Sequence, residues 1–175
     1  MNYIEQYYEE ITSGRVVVSK KVRSVYAHLV YNLQHPGEFH FNEKKANHAI
    51  DFIEMFCHLS KGKTGGKLIV LELWQKALIS AIFGFVDKDN LRQYREVLLL
   101  VGRKNGKSAL DSAISLYMLI ADNESAPEVY SAATQLLQSK IVWTETVRMI
   151  KKSPELRKYL KCRVADIYCA LNEGI

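Results

Sequence analysis

Arg95-Glu96-Val97-Leu98-Leu99-Leu100-Val101-Gly102-Arg103-Lys104-Asn105-Gly106-Lys107-Ser108-Ala109 is the stretch that decides how this chain is read. Val97 to Val101 is apolar without alternation, the pattern of a short strand buried on both faces. A polar turn follows from Gly102 to Ser108. Beyond it Ala109, Ile114, Leu116, Tyr117, Leu119 and Ile120 predict a largely buried helix. Strand, glycine turn with Gly-Lys-Ser, helix is the setting of a phosphate-binding loop. Backbone N–H groups of the turn and the helix N-terminus offer positive potential to phosphate oxygens. Lys107 would reach the β- and γ-phosphates, and the Ser108 hydroxyl would ligate Mg²⁺.

The strict spacing asks for a glycine at 101. Val101 stands there, and Gly102 comes one place late. A second Gly-Lys-Thr occurs within Ser60 to Lys67, but it follows a helical pattern and no strand. It reads as a mobile basic linker.

Apolar content of 48% and charged content of 25% over 175 residues suit a soluble globular chain with a real core. The apolar runs are too short to span a membrane, and the N-terminus lacks the basic-then-apolar order of a secretion signal. Cys57, Cys162 and Cys169 are odd in number and scattered, which favours reduced thiols in a cytosol. No Cys-x-x-Cys or His-x-x-x-His pair supports zinc. A net charge of +5 permits contact with nucleic acid without requiring it.

Upstream, Ile4, Tyr7, Tyr8 and Ile11 predict a helix stopped by Gly14. After the β-branched Val16 to Val18, Ser19 caps a helix with Val22, Val25, Tyr26, Leu29, Val30 and Leu33 inward, ended by His35-Pro36-Gly37. A third helix starts near Asn42 and buries Ala46, Ala49, Ile50, Ile53 and Phe56. Leu68 to Leu71 reads as a short extended piece. Glu72 to Phe83 reads as an apolar helix stopping at Gly84. Downstream, Glu128 to Ala133 and Cys162 to Leu171 read as strands. Between them Thr134 caps a helix carrying Leu136, Leu137, Ile141, Val142, Val147 and Ile150, and Ser153-Pro154 restarts a short one. The alternation predicts an α/β fold: a partial P-loop NTPase parallel sheet preceded by an α-helical N-terminal segment. The expected division is 1–62 for the helices and 67–175 for an incomplete P-loop ATPase domain that ends before Walker B.

Several pieces resemble the N-terminal part of the large subunit of tailed-phage terminases, the ATPase that packages DNA. They are Asp51 to Cys57, the Gly-Lys linker, Leu71-Glu72-Leu73-Trp74-Gln75, Ile82 to Phe85 and Gly102 to Ser108. Ser131 to Gln135 adds a less specific match. This family is similar in using a deviant Walker A, with an arginine four residues before the lysine and no required first glycine. Arg103 lies four before Lys107, so Val101 is expected under the resemblance. The resemblance implies that Arg103 and Lys107 act on the γ-phosphate. It implies ATP held by Gly102, Lys104, Asn105, Gly106, Lys107, Ser108 and Ala109, with Mg²⁺ on Ser108. Gln75 would read the adenine edge beside Trp74, because an amide both donates and accepts. Implied partners are double-stranded DNA, the portal and the small terminase subunit, with room for a homo-oligomer in the full motor, in the host bacterial cytoplasm and not in a membrane.

The resemblance has a gap. No apolar strand after Ser108 ends in adjacent acids, and Asp166 in Val164-Ala165-Asp166-Ile167 has no acidic neighbour. The expectation is therefore a nucleotide-binding part whose own hydrolysis is very slow or nil. Two other readings stay open: a truncated non-enzymatic remnant that binds DNA or a partner, and a helicase-like P-loop ATPase.

Overall fold

The computed structural model describes the backbone of residues 2–175 and their side chains other than that of Leu136. Met1 and the Leu136 side chain, counted above on a helix face, lie outside the described residues. The elements in order are α1 (Tyr3–Thr12), α2 (Lys20–Gln34), β1 (His40–Phe41), α3 (Glu43–Phe56), α4 (Leu73–Gly84), β2 (Phe85–Val86), α5 (Lys107–Ile120), α6 (Leu136–Lys152), α7 (Pro154–Tyr159), β3 (Leu160–Cys162) and β4 (Ile167–Cys169). They fall into two compact units. One takes Met1–Ile50 with Leu71–Leu99, the other Asp51–Val70 with Leu100–Ile175.

In the first unit local chemistry sets the helix starts. Asn2 Oδ1 accepts from the Ile4 and Glu5 N–H groups at 3.0 Å, and the Glu5 carboxylate accepts from Asn2 N–H at 3.1 Å. This reciprocal box satisfies amides the helix leaves unpaired. Ser19 Oγ accepts from Val22 N–H at 3.3 Å, and Asn42 Oδ1 from Lys45 N–H at 3.1 Å. Ile4, Tyr7 and Ile11 then lie on one stripe of α1 and meet Tyr26, Leu29, Ala77, Ala81 and Phe85 in one core. Each isoleucine buried there contributes about 1.5–3 kcal/mol. Tyr7 and Tyr26 meet edge to face at 4.7 Å. α4 closes this core, and β2 follows it and pairs antiparallel with β1, Phe41 opposite Phe85.

In the second unit α5 packs on α6. Leu110, Ala113, Leu116, Leu119, Met149 and Ile150 are buried, and Ser112 Oγ donates to Val142 O at 3.1 Å. Ser153 caps α7, accepting from Leu156 N–H at 3.3 Å, with Pro154 at its first position.

Among the described residues the sheets are two antiparallel pairs, β1–β2 and β3–β4. The expected parallel sheet is not formed. Residues 97–101 and 128–133 carry no ladder, and Leu98 and Leu100 are each 85% exposed, Tyr130 78%. A parallel strand is stable only with bonded neighbours along its length and cover on both faces; 128–133 reaches the C-terminal residue alone, Val129 N–H donating to Ile175 O at 2.9 Å, and Leu98, Leu100 and Tyr130 lie uncovered. The single strand expected over 162–171 is instead a hairpin, turned where Arg163 N–H donates to Asp166 O at 2.8 Å. The segment 60–67 is not a free linker. Leu59 N–H donates to Lys67 O at 2.8 Å and Gly66 N–H to Leu59 O at 2.7 Å, while Gly62 and Gly66 take positive φ to close the turn. Ser60 Oγ donates to the buried Glu145 carboxylate, and Lys61 Nζ lies 3.4 Å from its other oxygen. Among the described residues no helix is long and apolar enough to cross a membrane.

Candidate phosphate-binding loop

The predicted loop is an exposed turn ahead of α5. Lys104 (φ 69°) and Gly106 (φ 73°) both sit in the left-handed region, with Asn105 between them. Asn105 Nδ2 donates to Gly102 O at 3.1 Å and to Arg103 O at 3.4 Å, so its amide holds the turn from inside. Gly106 is the N-cap residue of α5. It brings no side chain to the helix start, so the first-turn amides of Lys107, Ser108 and Ala109 have no side-chain cap. Turns that pass through left-handed residues into a helix N-terminus gather N–H groups into a concavity suited to anions.

Gly102 to Lys107 are exposed, while Ser108 and Ala109 are half-buried at the start of the helix. One turn further on, burial raises the Asp111 carboxyl above its ordinary range, and the Lys107 charge pulls it back down. The Lys107 charge is therefore felt at one carboxylate of its own helix.

Trp74 and Gln75 belong to the other compact unit, in the first turn of α4. Trp74 packs half-buried against the core around Ile4 and Phe85. Gln75 Oε1 accepts from Glu72 N–H at 2.9 Å, so the amide expected to read a base is serving as a helix cap. A carbonyl oxygen has a second lone pair and the Nε2 hydrogens remain, so the cap does not use up the side chain. This role is absent from the expectations above, although glutamine three residues after a cap position is a known signal.

Asp166 lies in the turn between β3 and β4, 3.6 Å from the Arg163 guanidinium, which stacks over Tyr168 at 4.5 Å. Its Oδ1 and the Trp143 Nε1 are buried without a hydrogen-bond partner, and both residues line a cavity of about 260 Å³ with Ser115, Leu119 and Thr146. The loop does not line that cavity. Among the described residues no three His, Cys, Asp or Glu side chains cluster as metal ligands.

The family model of the terminase large subunit ATPase domain matches residues 73–175, more than half of the chain. The large terminase subunit of Enterobacteria phage HK97 is 30% identical over 115 residues, covering 65% of this chain and 22% of that protein. The crystal structure of the HK97 bacteriophage large terminase superposes with a TM-score of 0.64 at 25% identity, covering 74% of this chain and 26% of that one. The chain thus spans about a quarter of the length of these relatives. Its mixture of helices and small strands matches the corresponding part of the solved terminase. The helicase-like alternative is set aside, since this chain belongs to the terminase large subunit family, within its ATPase domain.

Proposed function

We propose that the 102–109 loop binds the triphosphate of ATP with Mg²⁺, and that the complete protein uses ATP hydrolysis to package double-stranded DNA. The observation that carries the proposal is the loop's backbone: Lys104 and Gly106 both left-handed, leading straight into an α5 start without a side-chain cap. Family membership supports nucleotide use. In this reading Lys107 contacts the β- and γ-phosphates, Ser108 ligates Mg²⁺, and Arg103 offsets charge on the transferred phosphoryl group. Gly102, Lys104, Asn105, Gly106 and Ala109 supply the cradle. Residues 97–101 and 128–133 are then strands of a P-loop sheet whose neighbours come from the rest of the protein. The portal and small terminase subunit are the proposed packaging partners, in the cytoplasm of the host.

Calorimetry with ATP and Mg²⁺ tests the loop. Saturable heat is expected from the natural chain, with affinity at least about tenfold weaker in Lys107→Ala, the loss of one charge-assisted phosphate contact. Hydrolysis by this chain alone is expected to be very slow. No heat, or heat indifferent to Lys107→Ala, overturns the proposal and favours a non-enzymatic module.

A further inference from the structure

The lysines of the 61–67 loop do not stand alone. Three observations gather cations from separate elements of the second unit onto one surface. The loop is pinned to α6 through Glu145, which takes Ser60 Oγ and Lys61 Nζ. At the far end of α6, Lys152 Nζ lies 3.9 Å from where a Cβ on Gly66 would stand. The neighbouring Lys151 charge is felt at the Cys162 thiol in β3, lowering a pKa that burial raises. Lys61, Lys63, Lys67, Lys151, Lys152 and Lys161 are all exposed. The loop carries no acid, and 151–161 carries Glu155 against five bases.

Lysines at the C-terminus of α6 complement its dipole, which accounts for Lys151 and Lys152. It does not account for the loop. Glu145 is buried and paired with Lys61 where it anchors the loop, so the exposed lysines other than Lys61 leave this surface positive. From that arrangement we propose that the 61–67 loop, the end of α6 and β3 form a docking surface for the phosphodiester backbone of duplex DNA. Compact ammonium groups on a glycine-rich turn suit phosphate oxygens, and they carry no base-reading geometry. The surface therefore holds DNA without regard to sequence. The choice of duplex DNA over other polyanions rests on the packaging function proposed above.

The test is fluorescence anisotropy of the full chain with a labelled duplex of about 20 base pairs across a salt series. Lys63→Gln/Lys67→Gln/Lys152→Gln is compared with Lys20→Gln/Lys21→Gln/Lys88→Gln, which removes as much charge from exposed sites in the other unit. Melting curves show that each variant folds. The patch variant is expected to bind about tenfold or more weakly, with the slope of log K against log salt reduced by about 2–3, near 0.9 per lost contact. The control variant is expected to lose far less, and ATP heat is expected to be unchanged in both. Equal losses from the two variants, no duplex binding by the natural chain, a preference for single strands, or displacement by polyglutamate at matched charge would each overturn the surface. Failure of ATP binding with the patch effect intact would sink the nucleotide reading alone.

Discussion

Gly106→Ala isolates what the loop's backbone does. Gly106 sits at φ 73° and ψ 7° as the residue before α5. An L-residue there brings Cβ too close to the following carbonyl and costs about 1–2 kcal/mol. That strain has two outlets. If the surrounding structure holds the turn, the cost appears as stability, and about 2–4 °C per kcal/mol for a chain of this size gives a Tm drop of about 2–8 °C. If the exposed turn relaxes instead, Tm moves less and the cradle is lost. ATP affinity then falls by about 5–30-fold, the same energy read as an equilibrium constant.

Gly102→Ala is the matched control. Gly102 is not among the glycines at positive φ, and an added Cβ would meet only Asn105 Nδ2, at 3.3 Å. A shift of a few tenths of an ångström in that amide accommodates it, so a small change in both readouts is expected. Thermal melting and ATP calorimetry on the same preparations decide the matter. If Gly106→Ala changes neither Tm nor affinity, or if Gly102→Ala does as much damage, the left-handed turn is not what shapes the site.

Two further outcomes follow from packing and charge. Gly84→Ala would set a Cβ 2.9 Å from Phe41 Cδ2 and 3.0 Å from Cζ, against a ring already held edge-on to Phe85 at 5.2 Å. Overpacking of this kind costs about 1–3 kcal/mol, so Tm should drop; an unchanged Tm would mean the ring turns freely. Asp111→Asn should raise Tm at neutral pH. Burial raises the Asp111 pKa in the folded chain, so the native state is penalised above that raised value. The penalty fades as pH falls through it toward the ordinary 3.8. The gain from Asn should therefore shrink in acid, and a lower Tm for Asp111→Asn at neutral pH would show that the carboxylate is net stabilising.

The helices were legible because their signals are local. Ile4, Tyr7 and Ile11 recur at helical spacing, and Ser19, Asn42 and Ser153 are residues that cap. α4 differs from its predicted span by a single residue at each end. What the sequence concealed was partnership. An apolar run such as Val97 to Val101 announces a wish to be buried, but strand pairing is set by residues elsewhere, and Leu98 and Leu100 stand exposed. The hairpin of β3 and β4 was hidden for a related reason. Leu160 to Cys169 has no Gly or Pro at its turn, and the reversal is made by the Arg163–Asp166 backbone bond.

The loop residues show the same division more sharply. Gly-Lys-Ser before a helical period marks the turn, and Gly106 is left-handed as such a turn requires. The left-handed Lys104 was invisible, because a lysine gives no sign of positive φ. Composition makes the 60–67 segment a mobile linker, and composition is the wrong guide. Its order comes from Glu145, 85 positions away from Ser60, and no local pattern pairs them. Its lysines add little to what net charge already says until that anchor sets them beside Lys152. Position turns a basic composition into a surface, and only a charge-matched variant set tells the two apart.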